Sequence, residues 1–141
     1  MKKITSKIYQ LILCLSLFDY LLINKSSNAF IPIINEPSEE EFNSTSIEIG
    51  KTAIQLIQFG QNNEAIKLLQ LAVKLNPKEK DLWISLAEAQ VRSDKKYDAL
   101  SSLNEAIKLK PKEENAYFTK AAIYMDLNDP QKAKIFIQKG L

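Results

Sequence analysis

Apolar residues form one continuous block near the N-terminus of the chain and a spaced pattern over the remainder. The block runs from residue 8 to residue 23 and is interrupted only at Gln10, Ser16, Asp19 and Tyr20. Further on, apolar residues recur at helical intervals, at Phe42, Ile49, Ala53 and Leu56. This phase predicts a first helix that begins near Ser38.

Two capping-box patterns, in which Ser or Thr is followed three residues later by Glu, lie near the start of this helix. They pair Ser38 with Glu41 and Thr45 with Glu48. Because the apolar phase reaches back to Phe42, we place the helix start at the first box. The acidic run 39–41 then lies in the first turn, where negative charge complements the helix dipole. We therefore interpret this run as part of a cap and not as a metal site.

The chain beyond residue 46 repeats itself at an interval of 34 residues. The segment from Ala72 to Pro77 matches the segment from Ala106 to Pro111, and the segment from Glu64 to Leu69 matches two later ones, which begin at Asp98 and Lys132. The interval accommodates two helices and their turns. The sequence therefore predicts a succession of helix pairs.

This pattern resembles the tetratricopeptide-repeat (TPR) family. The fullest match is the repeat 80–113, beside 46–79 and an incomplete 114–141. The resemblance implies an all-α fold, an α–α superhelix (TPR solenoid) of antiparallel helix pairs preceded by an apolar leader helix. The helices are expected at 38–59, 62–75, 80–93, 96–109, 114–127 and 130–140. The sequence departs from the family's apolar positions at Thr52, Gln90 and Lys120.

The resemblance also assigns packing roles to particular residues. Small residues let helix backbones approach closely, aromatic residues fill gaps between helices, and prolines end the second helix of each pair. These residues are Trp83, Leu86, Ala87, Tyr117, Ala121, Tyr124, Ala65, Ala99, Ala133, Pro77 and Pro111. Gly60, Asp94 and Asn128 share the position where the chain turns between helices, and Asp129 with Pro130 indicates a cap followed by a first-turn proline.

In the TPR family the first helix of each repeat lines a concave groove that binds partner segments. The residues at groove positions here are Ile47, Ile54, Ile57, Asp81, Ile84, Glu88, Val91, Phe118, Ala122 and Met125. The family's clamp for a partner's C-terminal carboxylate is not expected, because Gly50 and Ile54 carry no cation and Glu88 would repel an anion. A helix or extended apolar segment, with or without Lys or Arg, suits the groove better. In the alternative, Ile54, Ile57 and Phe118 pack on neighbouring helices or on segment 30–37.

Composition excludes several classes of chemistry. The chain has no histidine, one cysteine (Cys14) and three glycines. It therefore lacks a His base, a Cys/His zinc site and a glycine-rich phosphate loop. The single arginine, Arg92, weakens the case for nucleic-acid recognition. We expect a protein-binding scaffold with no catalytic, cofactor-binding or metal-binding residues. The carboxylate pair of Glu113 and Glu114 diverges at a helix start and gives little support for an enzyme.

Residues 1–29 have the order of a secretory signal peptide: a basic start, an apolar stretch and a small-residue site that ends at Ala29. The alternatives are an uncleaved membrane anchor formed by residues 8–23, which is short for a spanning helix, and a core helix. The leader carries a net charge of +3, which leaves −1 for the remainder. The expected domains are the leader or anchor 1–29, a linker and helix start 30–45, and a TPR domain 46–141.

The third repeat ends before its last positions, at Leu141. Either the chain is a truncated form of a longer TPR protein, or its uncapped last helix docks on a second protomer. A weaker resemblance, from the leader and the start at Phe30, is to small exported TPR proteins of cyanobacteria. It implies, as an alternative function, a factor that assists assembly of a photosynthetic membrane complex. Cleavage of the leader after Ala29 would export the protein to the periplasm or thylakoid lumen.

Overall fold

The computed structural model describes residues 37–141, and the predicted leader and most of the linker lie outside this range. All regular secondary structure in the described range is helical, which confirms the all-α fold of helix pairs. The helices are α1 Glu39–Gln58, α2 Asn62–Leu75, α3 Lys80–Arg92, α4 Lys96–Leu109, α5 Glu114–Asp126 and α6 Pro130–Gly140. Each bound lies within one residue of its predicted position. Phe42–Leu141 form one compact unit of the chain.

The starts of α1 and α6 are fixed by side-chain caps. The Ser38 hydroxyl accepts the N–H of Glu41 at 3.2 Å, and the Glu41 carboxylate accepts the N–H of Ser38 at 3.0 Å. This reciprocal pair is a capping box, and the acidic triplet follows it in the first turn. Asp129 accepts the N–H of Lys132 at 3.0 Å at the start of α6. Thr45 lies inside α1, so its capping-box pattern marks no helix start.

Three equivalent residues reverse the chain within the helix pairs. Gly60, Asp94 and Asn128 have φ values of 76°, 57° and 56°. Each donates its N–H three residues back, and the next residue donates five residues back, for example from Gln61 to Leu56 at 2.9 Å. These are the two hydrogen bonds of a Schellman motif, which closes a helix around a left-handed residue. Glycine adopts this conformation without strain, and Asn and Asp tolerate it better than most residues.

Small residues sit where neighbouring helices meet. Ala65, Ala99 and Ala133, at the same repeat position, have no exposed surface. Gly50 in α1 faces Leu82 in α3, and a Cβ built on Gly50 would lie 2.5 Å from the Leu82 Cδ2 atom. No real Cβ approaches so closely, so a side chain at Gly50 would require the Leu82 side chain to move aside or the two helices to separate.

Two aromatic residues tie one repeat to the next. The Trp83 indole N–H donates to the Pro77 carbonyl at 2.9 Å, and the Tyr117 hydroxyl donates to the Pro111 carbonyl at 3.0 Å. Both prolines lie just beyond the end of a second helix, as predicted. The carbonyls that follow α2 and α4 are thereby satisfied by the first helix of the next repeat.

Candidate functional site

The candidate site is the face formed by the first helix of each pair, α1, α3 and α5. Four large apolar side chains at its predicted positions stay accessible: Ile47 and Ile54 at 42% exposure, Phe118 at 41% and Met125 at 55%. They occur in pairs seven residues apart, which is two helical turns and keeps both members of each pair on one side of the helix. One pair lies on α1 and the other on α5, with α3 between them in the series of first helices. Exposed large apolar side chains at positions predicted to line one face make that face the candidate interaction surface.

The remaining predicted groove residues differ in burial. Asp81, Glu88 and Ala122 are exposed, and Ile84 is half-buried. Val91 is also half-buried, because it packs against the core cluster that contains Leu103 and Ile123. Asp81 and Glu88 therefore add polar surface to the face, whereas Ile84 and Val91 add little.

Ile57 is a correction to the predicted groove. Its side chain is only 4% exposed, so it belongs to the core and offers no surface to a partner. It lies in the last turn of α1, three residues before the left-handed Gly60. Ile57 therefore packs within the protein, as the alternative for this residue anticipated.

The carboxylates of the face lie next to cations of the same chain. Glu88 accepts from the Arg92 guanidinium at 2.9 Å, and Asp81 pairs with the neighbouring Lys80. Asp126 lies 4.0 Å from the ammonium of Lys96. These exposed pairs contribute little stability, but they balance the acidic charge that the sequence placed along this face. The apolar side chains are therefore its main recognisable chemistry.

The predicted packing residues fall into three groups. Leu86, Ala87, Ala121, Ala65, Ala99 and Ala133 are buried, Trp83, Tyr117 and Tyr124 are half-buried, and Pro77 and Pro111 are exposed. The half-buried aromatics fit the expectation that rings bridge helices, since each ring contacts a neighbour and keeps an edge near solvent.

The three departures from the family pattern each make a polar contact. Thr52 is exposed and donates its hydroxyl to the Glu48 carbonyl at 3.1 Å. Gln90 is buried and accepts from the Ser102 hydroxyl at 2.8 Å. A buried polar group with a partner avoids most of the cost of leaving water.

Lys120 is buried without a carboxylate partner. Its ammonium donates to the Asn104 side-chain oxygen at 2.6 Å and lies 4.1 Å from the centre of the Phe136 ring. Burial lowers the pKa of Lys120, and repulsion from Lys139 lowers it further. An amide oxygen and an aromatic face replace only part of the hydration that an ammonium has in water.

Glu113 is a buried carboxylate, in contrast to the buried ammonium of Lys120. It is 7% exposed at the start of α5, with the ammonium groups of Lys110 and Lys80 at 3.2 and 3.4 Å. The hydrogen bond from Lys110, helped by Lys80, lowers the pKa of Glu113. These three residues form a structural ion-pair cluster that joins the loop before α5 to the start of α3.

Within residues 37–141, no group of three or more Cys, Asp or Glu side chains is arranged to hold a metal ion. No helix in that same range is both long and apolar enough to cross a bilayer.

Successive antiparallel helix pairs with buried alanines and an apolar face define a helical-repeat protein. Residues 54–79 and 114–141 match the sequence model of the tetratricopeptide repeat. These two segments therefore resemble tetratricopeptide repeats, in agreement with the residue pattern. Among curated protein sequences, none is significantly similar to this chain.

Solved structures of TPR proteins share the fold. The second TPR domain of Spaghetti (RPAP3) bound to the HSP90 peptide SRMEEVD aligns with a TM-score of 0.68 and 16% identity, over 72% of this chain and 94% of that one. The Yersinia enterocolitica type III secretion translocator chaperone SycD aligns with a TM-score of 0.68 and 17% identity, over 72% and 75%. The Arabidopsis OM64 TPR domain aligns with a TM-score of 0.68 and 18% identity, over 71% of this chain and 83% of that one.

Two features of the surface were missed by sequence reasoning. The pairing of Glu88 with Arg92 has an i, i+4 spacing that was visible in the sequence. The second feature is a hollow between α2 and α4, on the other side of α3. Its only sequence signal is the pair Gln90 and Ser102. These polar residues occupy positions where the other repeats carry Leu or aromatic residues.

Proposed function

We propose that the protein is a non-enzymatic scaffold that binds an apolar segment of a partner polypeptide on the face formed by α1, α3 and α5. The observation that carries the proposal is the set of four exposed apolar residues: Ile47, Ile54, Phe118 and Met125. Helix-in-groove and extended-segment recognition both use apolar anchors of this kind.

The chemistry of the face favours an apolar partner over an acidic one. The structure of the Spaghetti domain contains a peptide that ends in Glu-Glu-Val-Asp. In the present chain Gly50 is buried against Leu82, Ile54 is apolar, and Arg92 is engaged by Glu88. No unpaired cation is therefore present at these positions to attract a terminal carboxylate.

A peptide array tests this proposal. Fifteen-residue peptides that range from apolar to acidic are probed with the wild-type chain and with the double variant Ile54→Asp, Phe118→Asp. We expect the wild type to retain apolar peptides, and the variant to bind them at least tenfold more weakly, which corresponds to about 1.4 kcal/mol.

The matched control is Ile135→Asp, Ile137→Asp. It places two aspartates on α6, outside the candidate face, at residues that are 48% and 42% exposed. Wild-type affinity is expected for this control, with unchanged helicity in both variants. The proposal is wrong if acidic peptides are preferred, or if the control loses binding and the face variant does not.

We also propose that the protein is exported, from the leader pattern of residues 1–29. N-terminal sequencing of the protein isolated from cells tests this. A start at Phe30 supports cleavage and release, whereas a start at Met1 favours retention as an anchor.

A further inference from the structure

An open hollow of about 510 Å³ lies between α2 and α4, above α3. Trp83 and Leu86 from α3 and Val73 from α2 supply its apolar lining, and Ser101 and Ser102 face them from α4. Trp83, Leu86 and Gln90 follow a spacing of three and four residues, so they share one side of α3. The exposed face described above uses Asp81, Ile84 and Glu88, which lie on the other side. The hollow is therefore a separate surface.

The next repeat shows what fills the equivalent space. The equivalents of Gln90 and Ser102, 34 residues later in the chain, are Tyr124 and Phe136. The two rings stack with centres 5.3 Å apart and planes within 1°. In the second repeat the same two positions meet through a hydrogen bond of 2.8 Å between small polar groups. The hollow thus lies where the third repeat carries its own aromatic ring.

Two of the polar groups that line the hollow have partners within the chain. Gln90 is bonded by Ser102, and the indole N–H of Trp83 is bonded to the Pro77 carbonyl at 2.9 Å. The indole of Trp83 is thus the main apolar surface that a guest meets, with Val73 and Leu86 beneath it, and the polar side chains Gln70 and Ser101 also line the hollow. Lys74 and Asp98 also line the hollow and carry opposite charges, so it selects no net charge.

We propose that this hollow receives an aromatic side chain of a partner polypeptide, in the position that Phe136 occupies in the following repeat. The volume is in the range of small-ligand sites, about 300–1,000 Å³, and accommodates a ring together with part of its peptide. Aromatic groups gain stacking energy beyond the burial of area, which favours a ring over an aliphatic side chain.

Trp83 is the only tryptophan of the chain, so its indole N–H gives a unique nuclear magnetic resonance signal. The experiment titrates the full chain with a seven-residue Gly/Ser peptide that has one central Phe, and with matched peptides that have Leu or Ala instead. We expect a saturable shift of the indole signal with the Phe peptide, at least tenfold weaker binding of the Leu peptide, and no shift with Ala. Absence of a shift, or equal affinity for Phe and Leu, overturns the proposal.

Substitutions that fill the hollow with a new ring provide a second test. The double variant Gln90→Tyr, Ser102→Phe recreates the ring pair of the third repeat, and Ser101→Phe fills the hollow from its rim while leaving the Gln90–Ser102 bond intact. Gln131→Phe adds a ring at an exposed site in the first turn of α6 and is the control.

We expect loss of the shift in whichever filled variant retains wild-type helicity, and a wild-type shift in the control. A folded filled variant that still binds the Phe peptide overturns the proposal. The face variant Ile54→Asp, Phe118→Asp should keep the indole shift, so the hollow and the apolar face can fail independently.

Discussion

The second and third repeats place different side chains at equivalent positions on the same backbone. The second has Leu86, Gln90 and Ser102, and the third has Lys120, Tyr124 and Phe136. In the second repeat an aliphatic side chain is buried beside a polar hydrogen bond. In the third an ammonium lies over a ring that stacks on a tyrosine.

The backbone tolerates this difference because other contacts are shared by both repeats. Ala99 and Ala133 are fully buried at the same position, and Trp83 and Tyr117 each bond to the carbonyl of a proline. Close backbone approach and satisfied carbonyls fix the helix pair, so the side chains between its helices are free to differ. The size and polarity of these side chains then determine whether the space beside the helix pair is filled or open.

The largest expected difference in stability is between truncation of a core residue in the second repeat and truncation of the equivalent residue in the last helix. Leu103 is fully buried, whereas Ile137, 34 residues later, is 42% exposed. Leu103→Ala should lower the free energy of unfolding by about 2–5 kcal/mol, because it leaves a cavity. Ile137→Ala should cost less than about 1 kcal/mol, since much of its surface is already hydrated. Urea unfolding measures both, and equal losses would contradict the comparison.

Phe136→Ser makes the third repeat resemble the second. The ring loses its stacking on Tyr124 and its contact with the Lys120 ammonium, so we expect a loss of about 2 kcal/mol. Ser102→Ala is the smaller counterpart in the second repeat. It leaves the buried Gln90 without its donor and should cost about 1 kcal/mol. The reverse order of the two losses in urea unfolding would show that the ring pair contributes less than the polar pair.

Lys120→Met tests the cost of the buried ammonium. Met keeps a long unbranched side chain and removes the charge, so we expect stability at neutral pH to increase by about 1 kcal/mol. Because the native pKa of Lys120 is lowered, the unfolded chain binds more protons between the native pKa and the ordinary lysine pKa. Wild-type stability from this group therefore rises as pH increases through that window.

Thermal unfolding of both proteins from pH 7 to pH 10 measures this dependence. The advantage of the Met variant should narrow as the pH increases, because the wild-type lysine becomes neutral. A variant that is less stable than the wild type at pH 7 would show that the contact with Phe136 outweighs the cost of burial.

The smallest effect concerns Glu113 and its equivalent, Glu79. Glu113 pairs with Lys110 and Lys80, whereas Glu79 accepts the N–H of Asp81 at 3.2 Å. Glu113→Gln should cost about 0.5 kcal/mol at pH 7, because its lysine partners are partly exposed to solvent and the attraction is screened. The native pKa of Glu113 is lowered, so this contribution is present above the ordinary glutamate pKa and is lost as pH falls through the native pKa. Urea unfolding should show a larger difference between Glu113→Gln and the wild type at pH 7 than at pH 3, with Glu79→Gln as the control.

The helices and turns were predictable from the sequence because they depend on local rules. The 34-residue repeat, together with the apolar phase and capping box at the start of the first helix, placed the helix bounds within one residue. The shared position of Gly60, Asp94 and Asn128 indicated the turns. The Ser38 capping box and the Asp129 cap also follow from side chains within three residues of the helix start.

The side-chain environments depended on neighbours that the repeat pattern does not specify. Ile57 occupies a groove position by its number in the repeat, yet packing at the end of α1 buries it. Lys120 occupies an apolar position, and its partners Asn104 and Phe136 come from two other helices. The hollow at Trp83 results from an absence of bulk at Ser102, and only the packed structure shows which volume stays empty.

The Schellman motifs at Gly60, Asp94 and Asn128 also affect how quickly the chain reaches its native state. Each motif is closed by hydrogen bonds that span at most five residues, and it brings the two helices of a pair together. Helix hairpins with such short connections form without the entropy loss of closing a long loop. Chains dominated by near-neighbour contacts fold on the microsecond to millisecond scale, and repeat proteins can begin at any unit. These three left-handed residues therefore favour rapid formation of each hairpin before the repeats stack.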